Sequence, residues 1–267
     1  MRESAAQPFF LYAAFTLPHF ASTEEDPDGL TVPTTESYSN KDWEEKSKKY
    51  AAMVHRLDAD VGRIVALIDE MGLRENTLII FTSDNGGNNT VPAELNTNGP
   101  LRGFKRDLTE GGIRVPFIAS WPGTIPTDST SDEIISFQDM LPTFTQLAGV
   151  KLPKRKQTDG INILPALKGD ELPERTTPLY WDYGHTRGDQ YAQAVRLGKW
   201  KGIRNYHSGD FHLYDLSEDI HEEHDVAKVN AEVVARMIEI MDQEMVPNDR
   251  YQLGTIYKGK AIWRKEK

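Results

Sequence analysis

Two polar residues that follow an apolar run are the first candidates for chemistry in this sequence. Residues 77–82 read Thr-Leu-Ile-Ile-Phe-Thr, which is typical of a core strand of a parallel sheet, and Asp84 and Asn85 come just after them. A carboxylate and an amide oxygen are ligands that Ca²⁺ or Mg²⁺ prefers, and Gly86 and Gly87 let the chain turn away sharply. Asp84 and Asn85 are therefore candidate metal ligands. Taken alone, the same residues could form an ordinary Asx-Gly turn.

Positive charge is concentrated in the polar segment that follows, at Arg102, Lys105, Arg106 and Arg114. The chain has a net charge of −10, so an anionic substrate must be held by local positive charge of this kind. Lys105 offers a point charge suited to an oxyanion, although a solvated lysine is the ordinary state in a polar loop. Arg102 and Arg106 are candidate substrate contacts, and Arg106 could instead only cover the loop. Arg114 is expected to form a structural ion pair with Glu110.

Histidines provide the candidate proton donors. His19 follows Pro18 at the end of an apolar segment, so we expect its ring to project from the same edge of the sheet as Asp84. A histidine there could deliver a proton to a leaving oxygen, while the alternative is a loop histidine bonded to backbone. His185 could reach the same pocket from a later loop, although ordinary solvation is the simpler interpretation. The His-Glu-Glu-His sequence at 221–224 lacks the spacing of a zinc-binding helix and is interpreted as a surface turn.

The elements that must position these residues can be read from the apolar periodicity. Apolar residues at three- and four-residue steps over Tyr50–Met71 predict an amphipathic helix. The apolar, aromatic run Pro8–Phe15 predicts a buried strand, which would form a βαβ unit with that helix and the strand at 77–82. Another amphipathic helix is predicted over Gln138–Ala148. In open α/β sheets ligands bind beyond the carboxyl ends of the strands, which is where the polar clusters stand.

A second unit is predicted after a boundary between Lys151 and Gly169, where Lys, Pro, Asp and Gly become frequent. Short apolar runs separated by turn residues then predict an antiparallel sheet, followed by one closing helix. The predicted strands are Leu179–Tyr183, Tyr191–Leu197, Trp200–Arg204 and Phe211–Leu216, and the predicted helix is Val226–Val246. We therefore divide the chain into a larger α/β part over residues 1–150 and a smaller α+β part over residues 151–267.

Composition narrows the class of protein. The 267 residues are 38% hydrophobic and 27% charged, enough apolar material for a sizeable core. A net charge of −10 argues against a nucleic-acid or acidic-membrane binder, and the absence of Cys excludes disulfides and thiolate metal sites. No run of apolar residues is long enough to span a membrane, and the start of the chain does not have the pattern of a signal peptide.

Taken together, these segments resemble the sulfatase family of the alkaline phosphatase superfamily, in particular bacterial arylsulfatase-A-like enzymes. The resemblance covers nearly the whole chain and rests on the stretches at 8–20, 50–87, 98–125, 193–204 and 211–227. It implies an α/β fold with an alkaline-phosphatase-like mixed sheet sandwiched by helices, formed by residues 1–150. A smaller C-terminal α+β subdomain, with an antiparallel sheet and a helix, would follow over residues 151–267.

The resemblance also implies a reaction and its residues. It implies a sulfuric ester hydrolase in which His19 acts as, or assists, the general acid and Lys105 binds the sulfate oxygens. Asp84 and Asn85 would bind Ca²⁺, or Mg²⁺, together with further aspartates and a formylglycine nucleophile. Sulfatases form that nucleophile from a C/S-x-P-x-R motif, and this sequence has no Cys and no Ser in such a setting. We therefore expect the chain to be the C-terminal half to two-thirds of a sulfatase, inactive and weakly metal-binding when isolated.

Several alternatives stay open from the sequence. The substrate could be a sulfated carbohydrate or an aryl sulfate, and the sequence determines neither the sugar nor the oligomeric state. A phosphoesterase or phosphonate hydrolase of the same superfamily is the alternative reaction, and a noncatalytic truncated product is the alternative outside enzymes. The resemblance implies a periplasmic or secreted location.

Overall fold

The fold is described from a computed structural model. The structure describes residues 1–2, 6–21, 27, 29–151, 158–184, 191–206 and 208–246.

The longest helix, α1, spans Glu45–Glu70 and confirms the helix predicted over Tyr50–Met71. Its apolar face buries Met53 and Ile68. The helix ends at Gly72, whose φ of 67° lies in the left-handed region that glycine adopts at little cost. Two backbone bonds close the last turn, from the Gly72 amide to the Asp69 carbonyl and from the Leu73 amide to the Ile68 carbonyl. This pair of bonds is the Schellman motif, which satisfies carbonyls that the helix leaves unpaired.

Two short strands follow α1 and differ from the predicted parallel arrangement. β1 spans Ile79–Thr82 and pairs antiparallel with β2, Phe117–Ser120, so that Ile79 lies opposite Ser120. The connection folds back on itself, since the Gly86 amide donates to the Gly112 carbonyl at 3.0 Å. The chain therefore comes back close to the end of β1 before β2 begins, in keeping with the antiparallel pairing. Among the described residues, the prediction that residues 77–82 form a strand of a parallel sheet is therefore wrong, because β1 pairs antiparallel with β2.

The predicted strand at Pro8–Phe15 is not formed. The segment has no regular secondary structure, and Phe10 and Tyr12 are exposed at 74% and 81%. No strand of the described residues pairs with it, and a strand needs a neighbour to satisfy its backbone groups. Its nearest ring contact is Phe10 against Phe144, with centroids 5.5 Å apart. The predicted βαβ unit is therefore also wrong within the described part of the chain.

The helix predicted over Gln138–Ala148 is confirmed. A 3₁₀ turn at Phe137–Asp139 leads into α3, Met140–Leu147. The Asp139 carboxylate accepts from the Ser136 amide at 2.7 Å and from the Arg175 guanidinium at 2.6 Å. Because this carboxylate is fully buried, the ion pair with Arg175 compensates for its lost hydration.

The other α helices of the described residues are a one-turn helix, α2, at Glu110–Ile113, a second short helix, α4, at Leu164–Leu167, and a helix near the end of the described chain, α5, at Ala231–Glu244. None of the described helices has the length and apolar character that crossing a membrane requires.

The predicted antiparallel sheet in the second half of the chain is confirmed. Its strands run in sequence order, each antiparallel to the next: β3 Leu179–Tyr183, β4 Ala192–Leu197, β5 Trp200–Asn205 and β6 Phe211–Asp215. The helix predicted at Val226–Val246 is also confirmed, as a 3₁₀ turn at Ala227–Val229 followed by α5.

Helix α5 covers one face of this sheet. Val195 and Leu213 point toward the helix and meet Met237 and Met241, and all four side chains are fully buried. Burying each such side chain contributes about 1.5–3 kcal/mol. Since successive residues of a strand point to opposite faces, the neighbouring residues Arg196, Lys201 and Tyr214 lie on the other face. That second face carries polar side chains and contacts the segment from Pro100 to Arg114.

Candidate functional site

The first part of the candidate site is the turn after β1. The Asn85 side-chain amide donates to the Gly86 carbonyl at 2.9 Å, and the Ser83 hydroxyl donates to the Asn85 carbonyl at 3.2 Å. These bonds hold the turn, and among the described residues no donor reaches the Asn85 side-chain oxygen. The Asp84 carboxylate is exposed and makes no hydrogen bond or ion pair with the described residues. Both oxygens are thus available to a cation.

The second part is the basic loop, residues 98–109, which the backbone joins to the turn. The Lys105 amide donates to the Gly87 carbonyl at 2.8 Å. Asn98 adds two side-chain bonds, accepting from the Gly87 amide at 2.7 Å and donating to the Gly103 carbonyl at 2.8 Å. The structure therefore brings Lys105 beside the Asp84 turn. Sequence reasoning missed Asn98, because an amide within a polar loop carries no signal of its own.

Glycines allow this close approach. A Cβ at Gly86 would overlap the carbonyl oxygen of Gly111 and lie 2.8 Å from its carbonyl carbon. At Gly103 the reason is conformational, since its φ of 85° is one that residues with a side chain rarely adopt. The turn and the loop can therefore pack backbone against backbone.

The basic side chains of the loop have different environments. Lys105 is half-buried, and its ammonium group forms no hydrogen bond or ion pair with the described residues. Arg106 is exposed and has a φ of 85°. Arg102 donates to the Tyr214 hydroxyl at 3.0 Å and lies over its ring, 5.0 Å from the centroid. Arg102 is thus engaged by the C-terminal sheet, while Lys105 keeps its donors.

No contact among the described residues joins His19 to these side chains. His19 is exposed, its amide donates to the Thr16 carbonyl at 2.8 Å, and its ring makes no hydrogen bond to Asp84, Asn85 or Lys105. His185 lies outside the described residues.

A buried group of charged side chains lies between α2 and the C-terminal sheet. Lys201 is fully buried, with its Nζ 2.8 Å from Glu110 Oε1 and 3.2 Å from Glu222 Oε1. Glu222 Oε2 accepts from the Glu110 amide at 2.7 Å. We call Glu110, Lys201 and Glu222 the charge cluster. Two arginines flank it, Arg196 at 3.5 Å and Arg114 at 3.6 Å from Glu110 Oε2.

The environment of Glu110 determines its ionisation. Burial alone would raise its pKa, but the attraction and hydrogen bond of Lys201, helped by Arg196 and Arg114, hold the pKa below its usual value. Glu110 is therefore ionised at neutral pH. The predicted ion pair with Arg114 is confirmed, although the shorter contact is with Lys201, which sequence reasoning missed.

The His-Glu-Glu-His segment forms a turn, as predicted, and the described residues hold no group of three or more His, Asp or Glu side chains able to bind a metal. The prediction of a surface turn is wrong for Glu222, which is fully buried. His221 Nδ1 lies 2.7 Å from the Pro100 carbonyl oxygen, and His224 Nδ1 lies 3.7 Å from the Asp219 carboxylate. The Glu222 carboxylate accepts from the amide of Glu110, 112 positions away in the sequence, and no local pattern indicates such a contact.

Family models match both halves of the chain. The model described as sulfatase matches residues 1–150, and the model described as the C-terminal part of N-sulphoglucosamine sulphohydrolase matches residues 103–250. Together they include the Asp84 turn, the basic loop and the C-terminal sheet.

Individual relatives of this chain are also named as sulfatases. N-acetylgalactosamine-6-sulfatase of Canis lupus familiaris is 35% identical over 204 residues, which is 75% of this chain and 35% of that protein. The uncharacterized sulfatase YdeN of Escherichia coli (strain K12) is 27% identical over 263 residues, covering 86% of this chain and 45% of that protein. The chain thus spans between about a third and half of the length of these relatives.

Solved structures match over most of the chain. The crystal structure of Ps i-CgsB superposes with a TM-score of 0.77 at 31% identity, covering 91% of this chain and 51% of that one. The same protein in complex with k-i-k-neocarrahexaose gives a TM-score of 0.76.

Proposed function

Because the chain belongs to the sulfatase family and has its alkaline-phosphatase-like fold, we propose that it forms part of a sulfuric ester hydrolase acting on a sulfated carbohydrate. The observation that carries the proposal is the hydrogen bond from the Lys105 amide to the Gly87 carbonyl. It joins the backbone of a residue with a cationic side chain to the turn that carries two candidate oxygen ligands, and a sulfate ester needs both kinds of group around its charged oxygens.

Asp84 and Asn85 fit a bound Ca²⁺ or Mg²⁺. Their oxygens face no competing donor among the described residues, and both are hard ligands. When bound, the metal would neutralise charge on the sulfate oxygens. Two ligands are too few for the six to eight that Ca²⁺ takes, so the remaining ligands would be the aspartates and the formylglycine that the family resemblance implies.

Lys105 would bind a nonbridging sulfate oxygen. Lys105 is half-buried and its ammonium group has no anionic partner among the described residues, so its charge is available to a ligand. A fixed ammonium group there would offset the negative charge that develops around sulfur as the S–O bond breaks, which lowers the barrier to cleavage.

His19 would supply the proton for the departing alcohol. When the S–O bond breaks, its electron pair stays on the ester oxygen, and a proton from a protonated His19 makes that oxygen a neutral hydroxyl. The exposed ring has no hydrogen bond with the described residues and is free to meet a substrate. This role requires the substrate to approach both His19 and Lys105.

The class of substrate is inferred from the relatives. One relative is named N-acetylgalactosamine-6-sulfatase, and a solved relative is in complex with k-i-k-neocarrahexaose. We extend this to a sulfated saccharide here, with Arg106 and His185 as candidate sugar contacts. Arg102 is a weaker candidate, because Tyr214 already occupies its guanidinium. An aryl sulfate is the alternative substrate, and we propose a periplasmic or secreted location.

The test is sulfate release by the complete gene product that contains this sequence, co-expressed with a formylglycine-generating enzyme. The substrates are 4-nitrophenyl sulfate and a panel of sulfated saccharides. We expect Lys105→Ala to reduce kcat about 10²–10³-fold, as loss of one oxyanion donor does. Lys228→Ala, at an exposed lysine far along the chain, is the matched control and should leave kcat unchanged.

Two results would contradict the proposal. Release of phosphate from a phosphate ester but never of sulfate would favour the phosphoesterase alternative. Absence of turnover on every substrate, with the formylglycine verified by mass spectrometry, would favour a noncatalytic protein.

A further inference from the structure

The charge cluster connects the C-terminal sheet to the site. Lys201 belongs to β5, Glu222 to the turn after β6, and Glu110 is the first residue of α2. Within the next two residues of α2, the Gly111 amide donates to the Arg102 carbonyl at 2.7 Å and the Gly112 carbonyl accepts from the Gly86 amide at 3.0 Å. A movement of Glu110 would therefore displace both the basic loop and the Asp84 turn.

The cluster is more polar than a contact needed only for stability. A fully buried lysine loses its hydration, and apolar side chains of similar volume often stabilise a core as well or better. Charged and hydrogen-bonded groups add specificity for one arrangement of the neighbouring segments, because their donors are satisfied in that arrangement only. Here the Glu222 carboxylate accepts from the backbone amide at the start of α2, while the Lys201 ammonium group donates to Glu110 and lies 3.2 Å from Glu222 Oε1.

The same face of the sheet makes two further contacts with this segment. Tyr214, beside Lys201 in the register, binds Arg102, and in the turn after β6 His221 lies against the Pro100 carbonyl. The segment is thus held at both ends, by residues 214 and 221 near Pro100 and by the charge cluster at Glu110.

We infer that Lys201 and Glu222 are positioning residues that set Lys105 against Asp84 and Asn85 by fixing the start of α2. This inference rests on the proposed function for its catalytic meaning. Its structural content is that the C-terminal sheet orders the basic loop and the turn. A cluster that only stabilised the fold would affect all parts of the chain alike.

Hydrogen–deuterium exchange of the complete protein separates these cases. We compare peptides from residues 98–112 with peptides from α1. In Lys201→Met we expect exchange over residues 98–112 to rise about tenfold, because the bonds of Lys105 and Gly111 open locally, while α1 keeps its protection. Lys199→Met is the matched control, since this neighbouring lysine is exposed and contacts Asp215 and the Trp200 ring but no member of the charge cluster among the described residues. It should exchange like the wild type.

Glu222 gives a second pair of variants. Glu222→Gln keeps an oxygen that can accept from the Glu110 amide, whereas Glu222→Ala removes it. We expect Glu222→Ala to exchange like Lys201→Met and Glu222→Gln to restore most of the protection. In turnover assays Lys201→Met and Glu222→Ala should lower kcat more than they change KM, because Lys105 is needed most in the transition state.

The outcomes for the inference and for the proposed function are separate. Unchanged exchange over residues 98–112, or an equal loss of protection in α1, would overturn the positioning inference. If residues 98–112 loosen locally in Lys201→Met while the wild-type protein never releases sulfate, the positioning inference is supported and the sulfatase proposal is overturned.

Discussion

Replacing Gly86 by alanine tests whether the turn and α2 are locked together. The added Cβ would lie 2.8 Å from the Gly111 carbonyl carbon and 3.3 Å from the Gly112 Cα. Carbon atoms in contact normally stand about 3.5–4.0 Å apart, so the two backbones must separate by about 1 Å. That shift would break the bond from the Gly86 amide to the Gly112 carbonyl.

The energetic cost has two parts. Overpacking of this kind costs about 1–3 kcal/mol, and a part-buried amide left without its acceptor costs about 1–3 kcal/mol. We therefore expect Gly86→Ala to lower the free energy of unfolding by about 2–6 kcal/mol. If the sulfatase proposal holds, a displacement of about 1 Å between Lys105 and the metal ligands should also lower sulfate release about a hundredfold.

The assay is urea unfolding followed by circular dichroism, with Gly62→Ala as the matched control. Gly62 lies inside α1 on an exposed position, and a Cβ there would meet no atom within 4 Å. Alanine is favoured over glycine within a helix by about 0.5–1 kcal/mol, so the control should be slightly more stable than the wild type. If Gly86→Ala unfolded at the same urea concentration as the wild type, the close contact between the turn and α2 would be refuted.

Two further predictions concern the charge cluster and the core of the C-terminal sheet. Glu110→Gln should lower the free energy of unfolding by about 3 kcal/mol at pH 7, because it leaves the buried Lys201 with a single carboxylate. Since the pKa of Glu110 is lowered by folding, its ionised form stabilises the protein above the carboxyl pKa of the unfolded chain, and this contribution is lost as the pH falls through the folded value. The gap between wild type and Glu110→Gln should therefore narrow below about pH 4, and a constant gap in urea titrations at pH 7 and pH 3 would show that the charge of Glu110 is not involved. Met237→Ala should cost about 2–5 kcal/mol, because the side chain is fully buried between α5 and the sheet. A shift in urea midpoint with an unchanged m-value would confirm it, and a cost below about 1 kcal/mol would contradict the packing described here.

Much of the fold could be predicted from periodicity alone. The helix α1, the helix α3 and the four strands of the C-terminal sheet were each predicted within a few residues of their observed bounds. Their apolar residues repeat with the period of the element, and turn residues such as Gly72 and Gly198 mark the ends. The strand expected at Pro8–Phe15 failed because its apolar residues specify burial but not a partner, and no described strand lies beside it.

For the candidate site, the residue types were enough to identify Asp84, Asn85 and Lys105 as candidates. The turn chemistry after β1 and the basic loop are local in sequence, and the family resemblance gave each residue an expected role. The catalytic and metal-binding roles of these residues, and that of His19, stay predictions that the activity measurements above would test.

What the sequence by itself determined is local: the helices, the C-terminal strands and the residues able to bind a metal or an oxyanion. Only the tertiary structure decided that β2 returns antiparallel to β1, that Lys105 donates to Gly87, and that Lys201 and Glu222 are buried against Glu110. The physical reason is that periodicity reports which face of an element is apolar, whereas these contacts join residues up to 112 positions apart. A charged residue in a strand or a turn looks solvent-exposed until the partner that neutralises it is brought beside it by the fold.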